Sequence, residues 1–178
     1  AIASSYSKPL KTIDLILEGG GVESNGIDTI LTTAECMLNE NRNHLLDEEQ
    51  ITKVLQDEFG MSKILYLRHG YLAGDDTDSH IDTLARFIDE KTIAYVKCTD
   101  EDDEHYSELK LMEQELELIS QEHGFKLVAL PMTTPCYYED ERLPATYANF
   151  LFVNGAVLLP TYGVKEDELA IAVLQRAL

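Results

Sequence analysis

The chain has 178 residues, 44% of them hydrophobic, which suits one globular domain over residues 1–178 with a real core. Its 33 acidic against 14 basic side chains give a formal charge of −19, a field that repels nucleic-acid backbones and anionic lipid, so neither is an expected partner. No apolar run is long enough to span a bilayer, Ala1 to Leu10 lacks the layout of a secretion leader, and Cys36, Cys98 and Cys136 form no CxxC or Cys/His cluster. A cytoplasmic protein with reduced thiols and no structural zinc is expected. The acidic surplus fits a solubilising surface, with much of it in Asp100 to Glu104 and Glu139 to Glu141; attraction of a cationic substrate is the functional alternative.

In chain order, Ile13 to Glu18 reads as a strand, Asn25-Gly26 as a hairpin turn and Asp28 to Thr33 as a second strand. Asp47 offers an N-cap to a helix whose face carries Ile51, Val54, Leu55 and Phe59. Gly60 can close that helix, and Lys63 to Leu67 is a further strand. The order strand, strand, helix, strand then recurs. Ile81 to Ile88 and Thr92 to Cys98 flank a turn at Glu90-Lys91, a helix carries Leu109, Met112, Leu116 and Ile119 to Gly124, and Lys126 to Leu130 closes the copy. A third copy starts with Tyr147 to Val153, Asn154-Gly155 and Ala156 to Leu159, and a helix begins near Lys165. The turns lie 65 and 64 residues apart. Units of this length need neighbours to bury their open faces. The last helix reaches Leu178 with no cap and no closing strand, so the natural chain is expected to continue past it.

Several polar residues stand out against this pattern. In His80-Ile81-Asp82 a strand's period of two puts the histidine and aspartate on one face and Ile81, Thr83, Ala85 and Phe87 on the other. A histidine can move a proton near neutral pH and a neighbouring carboxylate can hold it or pair with a cation, but a structural hydrogen-bonded pair gives the same pattern. Glu18 follows apolar Leu15 to Leu17 and precedes three glycines, a charge at the end of a buried segment that needs a partner unless it is simply exposed. Cys36, in Thr32-Thr33-Ala34-Glu35-Cys36, reads better as a small buried side chain than as a nucleophile served by His80.

Several segments, in order, resemble the agmatine deiminase family of guanidine-modifying penteins. They are Leu17-Glu18-Gly19-Gly20, Thr32 to Asn43, Asp75 to Asp82, Glu141 to Phe150 and Asn154 to Gly163, and the likeness covers nearly the whole chain. The resemblance implies an α/β propeller of five strand-strand-helix-strand units, about two and a half of them present here, so the chain looks like a central fragment. It also implies hydrolysis of agmatine to N-carbamoylputrescine and ammonia, feeding putrescine synthesis, through a thiouronium intermediate on a cysteine. By the same resemblance His80 and Glu18 are catalytic, with His80 as acid and base and Glu18 holding it and the substrate's nitrogens, while Asp82 binds the guanidinium. No metal or organic cofactor is implied, and a homodimer is expected from the family only. The family's late Gly-Gly-x-x-His-Cys segment has no match here, nor do an upstream aspartate and an aromatic wall. Ser79 stands where the family usually has glycine.

Two rival readings remain open on sequence alone. Arginine or peptidylarginine would need a cationic group for a carboxylate or contacts to a peptide. A non-catalytic propeller resembling the factor that keeps ribosomal subunits apart would not need Glu18, His80 and Asp82 to face one cavity.

Overall fold

The computed structural model describes residues 9–178, so most of the Ala1 to Leu10 stretch lies outside the described residues. The first strand, β1 (Val22–Ser24), is joined to β2 (Thr29–Thr33) by a turn built on Asn25 and Gly26. The Asn25 side chain accepts hydrogen bonds from the backbone N–H groups of Ile27, Asp28 and Thr29, and Gly26 takes the left-handed φ of 73° that the turn demands. Two one-turn helices follow, α1 (Ala34–Met37) and α2 (Glu40–Asn43), capped by the side chains of Thr33 and Asn39. Helix α3 (Glu48–Phe59) opens with a reciprocal capping box between Asp47 and Gln50 and closes on Gly60 at φ 69°. It leads to β3 (Lys63–Leu67), parallel to β2, so that β2 is the wholly buried middle strand of a three-stranded sheet.

The second unit repeats this plan. A one-turn helix α4 (Ile81–Leu84) precedes β4 (Ala85–Asp89), which pairs antiparallel with β5 (Thr92–Lys97); α5 (Tyr106–His123) then crosses to β6 (Lys126–Pro131), parallel to β5. A small ladder of β7 (Tyr137–Tyr138) and β8 (Glu141–Arg142) separates it from the hairpin β9 (Leu151–Val153) and β10 (Ala156–Leu158), and α6 (Glu166–Ala177) follows. The α/β class and the recurring order are therefore as the sequence indicates, carried on small separate sheets.

Three expected strands change on inspection. Ile13 to Glu18 is not a ladder strand. Leu15 and Leu17 pack against Met37, Ile51 and Leu55, and the amide of Asn43 takes a neighbouring strand's place, accepting from the Ile16 N–H and donating to its carbonyl. Ile81 to Ile88 splits into α4 and β4, because the N–H and hydroxyl of Thr83 both donate to the His80 carbonyl and wind the chain into a turn. Tyr147 to Val153 pairs only over its last three residues. Its start is held by side chains instead, the Tyr147 hydroxyl on Asp167 at 2.6 Å and the Tyr162 hydroxyl on the Thr146 carbonyl at 2.8 Å.

The central hydrophobic cluster joins Leu31 and Leu67 of the first unit to Ile81, Phe87 and Ile93 of the second, under Leu109, Met112 and Leu116 of α5. Polar ties reinforce the junctions. The Glu23 carboxylate accepts from Arg86 Nε and from the Phe87 backbone N–H, Asn25 donates to the Glu90 carbonyl, and Arg86 reaches onward to the Phe150 carbonyl at 2.7 Å.

Glu113 on α5 is almost fully enclosed and accepts from the Tyr95 hydroxyl, Lys97 and Lys110. Burial pushes its carboxyl up, but these three donors outweigh that and hold it at about 2. Its contribution to stability is therefore fully present above the ordinary value of 4.5 and is lost as pH falls toward 2. Glu113→Gln should lower stability by about 2 kcal/mol at neutral pH. Denaturant titrations should show the gap to the parent narrowing steadily below pH 4.5.

Candidate active site

Glu18 ends the Leu15 to Leu17 segment at the mouth of a 3₁₀ turn, Gly19–Gly21, whose last N–H donates to the Glu18 carbonyl. One oxygen of its carboxylate, Oε2, receives both His80 Nε2 at 2.5 Å and an Arg42 guanidinium nitrogen at 2.9 Å. Arg42 and His80 together hold this half-exposed carboxyl below its ordinary value. An ionised Glu18 accepts, so His80 donates through Nε2.

Arg42 is the residue that pattern reading missed, since it appeared only as one letter of a longer family-like segment. Its other contacts go to the Asp78 carboxylate at 2.5 Å and the Thr77 carbonyl at 3.1 Å, so one nearly buried guanidinium ties Glu18 to the loop that delivers His80. Arg42 Nε is buried with no hydrogen-bond partner among the described residues.

That loop is tightly wound. Asp78 and Ser79 both adopt left-handed φ values, 59° and 58°. The Asp75 carboxylate accepts from the backbone of Thr77 and Ser79, and the Thr33 hydroxyl donates to the Ser79 carbonyl. His80 then serves as N-cap of α4, with Asp82 in its first turn. The two side chains share a face, as the sequence indicates, but a helical turn sets the geometry where a strand was expected. Ile81 and Phe87 turn into the apolar cluster beneath.

Gly20 decides how the groups meet. A Cβ placed there would lie 2.6 Å from His80 Nδ1 and 2.7 Å from Asp82 Oδ2, so both side chains close on bare backbone. Burial pushes the Asp82 carboxyl up, against the pull of Arg86 and His80. The arrangement thus has one ionised, paired carboxylate, one half-buried carboxylate and an imidazole between them. Cys36 is buried at the start of α1, as the sequence suggests, and burial pushes its thiol up to about 11. Its Sγ nevertheless lies in one cluster with ligand atoms of Glu18 and His80, all within 4.8 Å of one another. An apolar groove of about 690 Å³ between β9, β10 and α6 includes none of these residues.

The sequence model of the Porphyromonas-type peptidyl-arginine deiminase family matches residues 1–178. The chain belongs to this family. It is 32% identical to an agmatine deiminase of Pseudomonas aeruginosa (strain LESB58), covering 93% of this chain and 50% of that relative. Among solved structures, a cysteine-to-serine variant of the C. jejuni agmatine deiminase with substrate bound superposes with a TM-score of 0.92 at 48% identity, over 99% of this chain and 52% of that one. A Porphyromonas gingivalis structure described as a candidate arginine deiminase is 52% identical with a TM-score of 0.88, over 91% of this chain and 48% of its own. The chain thus spans about half the length of the relatives it matches.

Two substitutions separate geometry from stability here. Gly20→Ala meets only the ends of side chains, so the unfolding free energy should change by less than about 1 kcal/mol while His80 and Asp82 are displaced. An unmoved His80 ring resonance in NMR spectra would contradict this. Ser79→Gly keeps the backbone hydrogen bonds and relieves the left-handed strain, and should raise stability by about 0.5–1 kcal/mol in a denaturant titration.

Proposed function

We propose that this chain carries the carboxylates and the histidine of an agmatine deiminase, a hydrolase that replaces an imino nitrogen of a guanidinium by oxygen. The observation that carries the reading is the meeting of Glu18, His80 and Asp82 around Gly20. A planar guanidinium offers paired N–H donors, and a carboxylate accepts them in a fork, so Asp82 takes the substrate's guanidinium. Cation binding there also relieves the cost of a half-buried anion.

In this reading a cysteine thiolate attacks the guanidinium carbon, and the tetrahedral adduct collapses as His80 protonates the departing nitrogen, releasing ammonia. His80, now neutral, takes a proton from water, which adds to the thiouronium carbon. Collapse of that adduct expels the thiolate and frees N-carbamoylputrescine. Glu18 keeps the imidazole in place and stabilises its protonated form. Cys36 is a poor nucleophile, enclosed and with its thiol at about 11, Cys98 is also buried, and Cys136 lies in the loop before β7 outside the Glu18 and His80 cluster, so this reading gives the attack to none of the three. The nearby arginines favour agmatine over arginine: Arg42 is committed to Glu18 and Asp78 and Arg86 to Glu23, leaving neither for a substrate carboxylate.

The finer architecture belongs to the same proposal. The units form part of an α/β propeller around the site, and the apolar groove lined by Phe152, Val157 and Ile171 is a face that a further unit would cover.

The enzyme that contains this segment provides the test. His80→Ala should lower kcat by roughly 10²–10⁴ with agmatine affinity largely kept. Asp82→Asn keeps the shape but removes the charge, and should weaken agmatine binding as well as turnover. Steady-state kinetics with equilibrium binding on the same preparations separates them. Near-parent turnover by His80→Ala, or parent-like affinity of Asp82→Asn, would sink the assignment at that residue.

A further inference from the structure

Cys36 has no part in the proposed reaction, yet its position is specific. The Sγ, a carboxylate oxygen of Glu18 and a ring nitrogen of His80 lie within 4.8 Å of one another. We propose that these three side chains form a binding site for a borderline-soft divalent cation, Zn²⁺ above all, and that its occupancy ties up the imidazole and so switches the site off.

The donor set suits such an ion. One thiolate, one imidazole and one carboxylate are ligands that Zn²⁺ takes together, with bonds of roughly 2.0–2.3 Å, and three protein ligands leave a fourth position for water. A tetrahedron with those bonds has its ligand atoms roughly 3.3–3.8 Å apart, so the present spacing needs side-chain adjustments of about an ångström rather than a rebuilt backbone. A thiolate and a carboxylate also balance the charge of the dication, and binding releases the thiol proton to solvent.

For the ion to bind through Nε2, the hydrogen bond from His80 to Glu18 has to open, and the remaining surroundings permit it. Glu18 spends only Oε2 on His80 and Arg42, and its Oε1 has no hydrogen bond among the described residues. Its side chain is 43% exposed, which gives the ion a route in. On the inner side Gly21 approaches the sulfur so closely that a Cβ there would lie 3.2 Å from Sγ. Asp75 and Asp78 add negative potential, while Arg42, bonded to Oε2 of Glu18, opposes it and limits affinity.

The binding site does not depend on the chemistry proposed above, whereas the switching rests on it, and the test reads binding directly in the 178-residue chain. Titration with Co²⁺, the spectroscopic substitute for Zn²⁺, should bring up a thiolate-to-metal charge-transfer band in the near ultraviolet. It should saturate at one equivalent and be abolished by adding Zn²⁺. Cys36→Ala should remove the band, whereas Cys98→Ala and Cys136→Ala should keep it. Because Cys36 is in the core, Glu18→Gln supplies a variant at a half-exposed position; it should keep the parent's circular dichroism and weaken Co²⁺ binding by at least about tenfold. Absence of a thiolate band in the parent chain, its survival in a folded Cys36→Ala, or parent-like affinity in Glu18→Gln would overturn the proposal.

Discussion

The contact on which the site depends is the closure of His80 and Asp82 onto the backbone of Gly20. Two side chains from the second unit occupy the space that any side chain at position 20 would need, so the first unit receives them only because that residue has none. Everything else at the junction serves this approach. The Asp75 and Thr33 hydrogen bonds hold the incoming loop at its steepest point, and Arg42 grips that loop and Glu18 with one rigid fork. A lysine in place of Arg42 would present a point charge where three differently directed acceptors have to be met at once.

The two carboxylates then differ in a way that distance alone would not reveal. Glu18 sits near water but is held ionised by a guanidinium and an imidazole, so its charge is already matched. Asp82 is partly buried without such a partner, and its ionised form is costly until a cation arrives. In the proposed reaction the first supports a neighbour and the second receives the substrate's cation. The overall surplus of acidic side chains contributes little to this distinction, which comes from burial and from the two arginines, Arg42 and Arg86.

Much of the fold was legible because it rests on local chemistry. Asn25-Gly26, the Asp47 cap and the glycines at 60 and 124 mark turns and helix ends by their own conformational needs, and the apolar stripe of α5 announces the face it buries. Reading failed where side chains from distant positions replace a regular ladder. Asn43 stands in for a strand beside Ile16, and Thr83 bends the segment after His80 into a turn, neither of which leaves a periodic trace. His80, Asp82 and Glu18 were visible as polar residues out of place. Arg42 and Asp78 were not, because charged residues in polar surroundings look like ordinary surface, and a link over 36 residues has no signature in spacing. The burial of Cys36 was readable, whereas its neighbours were not.

The ties among Glu23, Arg86 and Phe150 are made at nearly the same place in successive units. In each case a side chain of one unit reaches toward the hairpin of the following one, so the front of one module grasps the back of the next. Such a join is heterologous and has a polarity. Two units held this way cannot swap roles. The Arg86 guanidinium makes both joins, Nε to Glu23 and Nη1 to the Phe150 carbonyl, with its central carbon 5.0 Å from the centre of the Phe150 ring. A single arginine side chain thus fastens three successive units at one point.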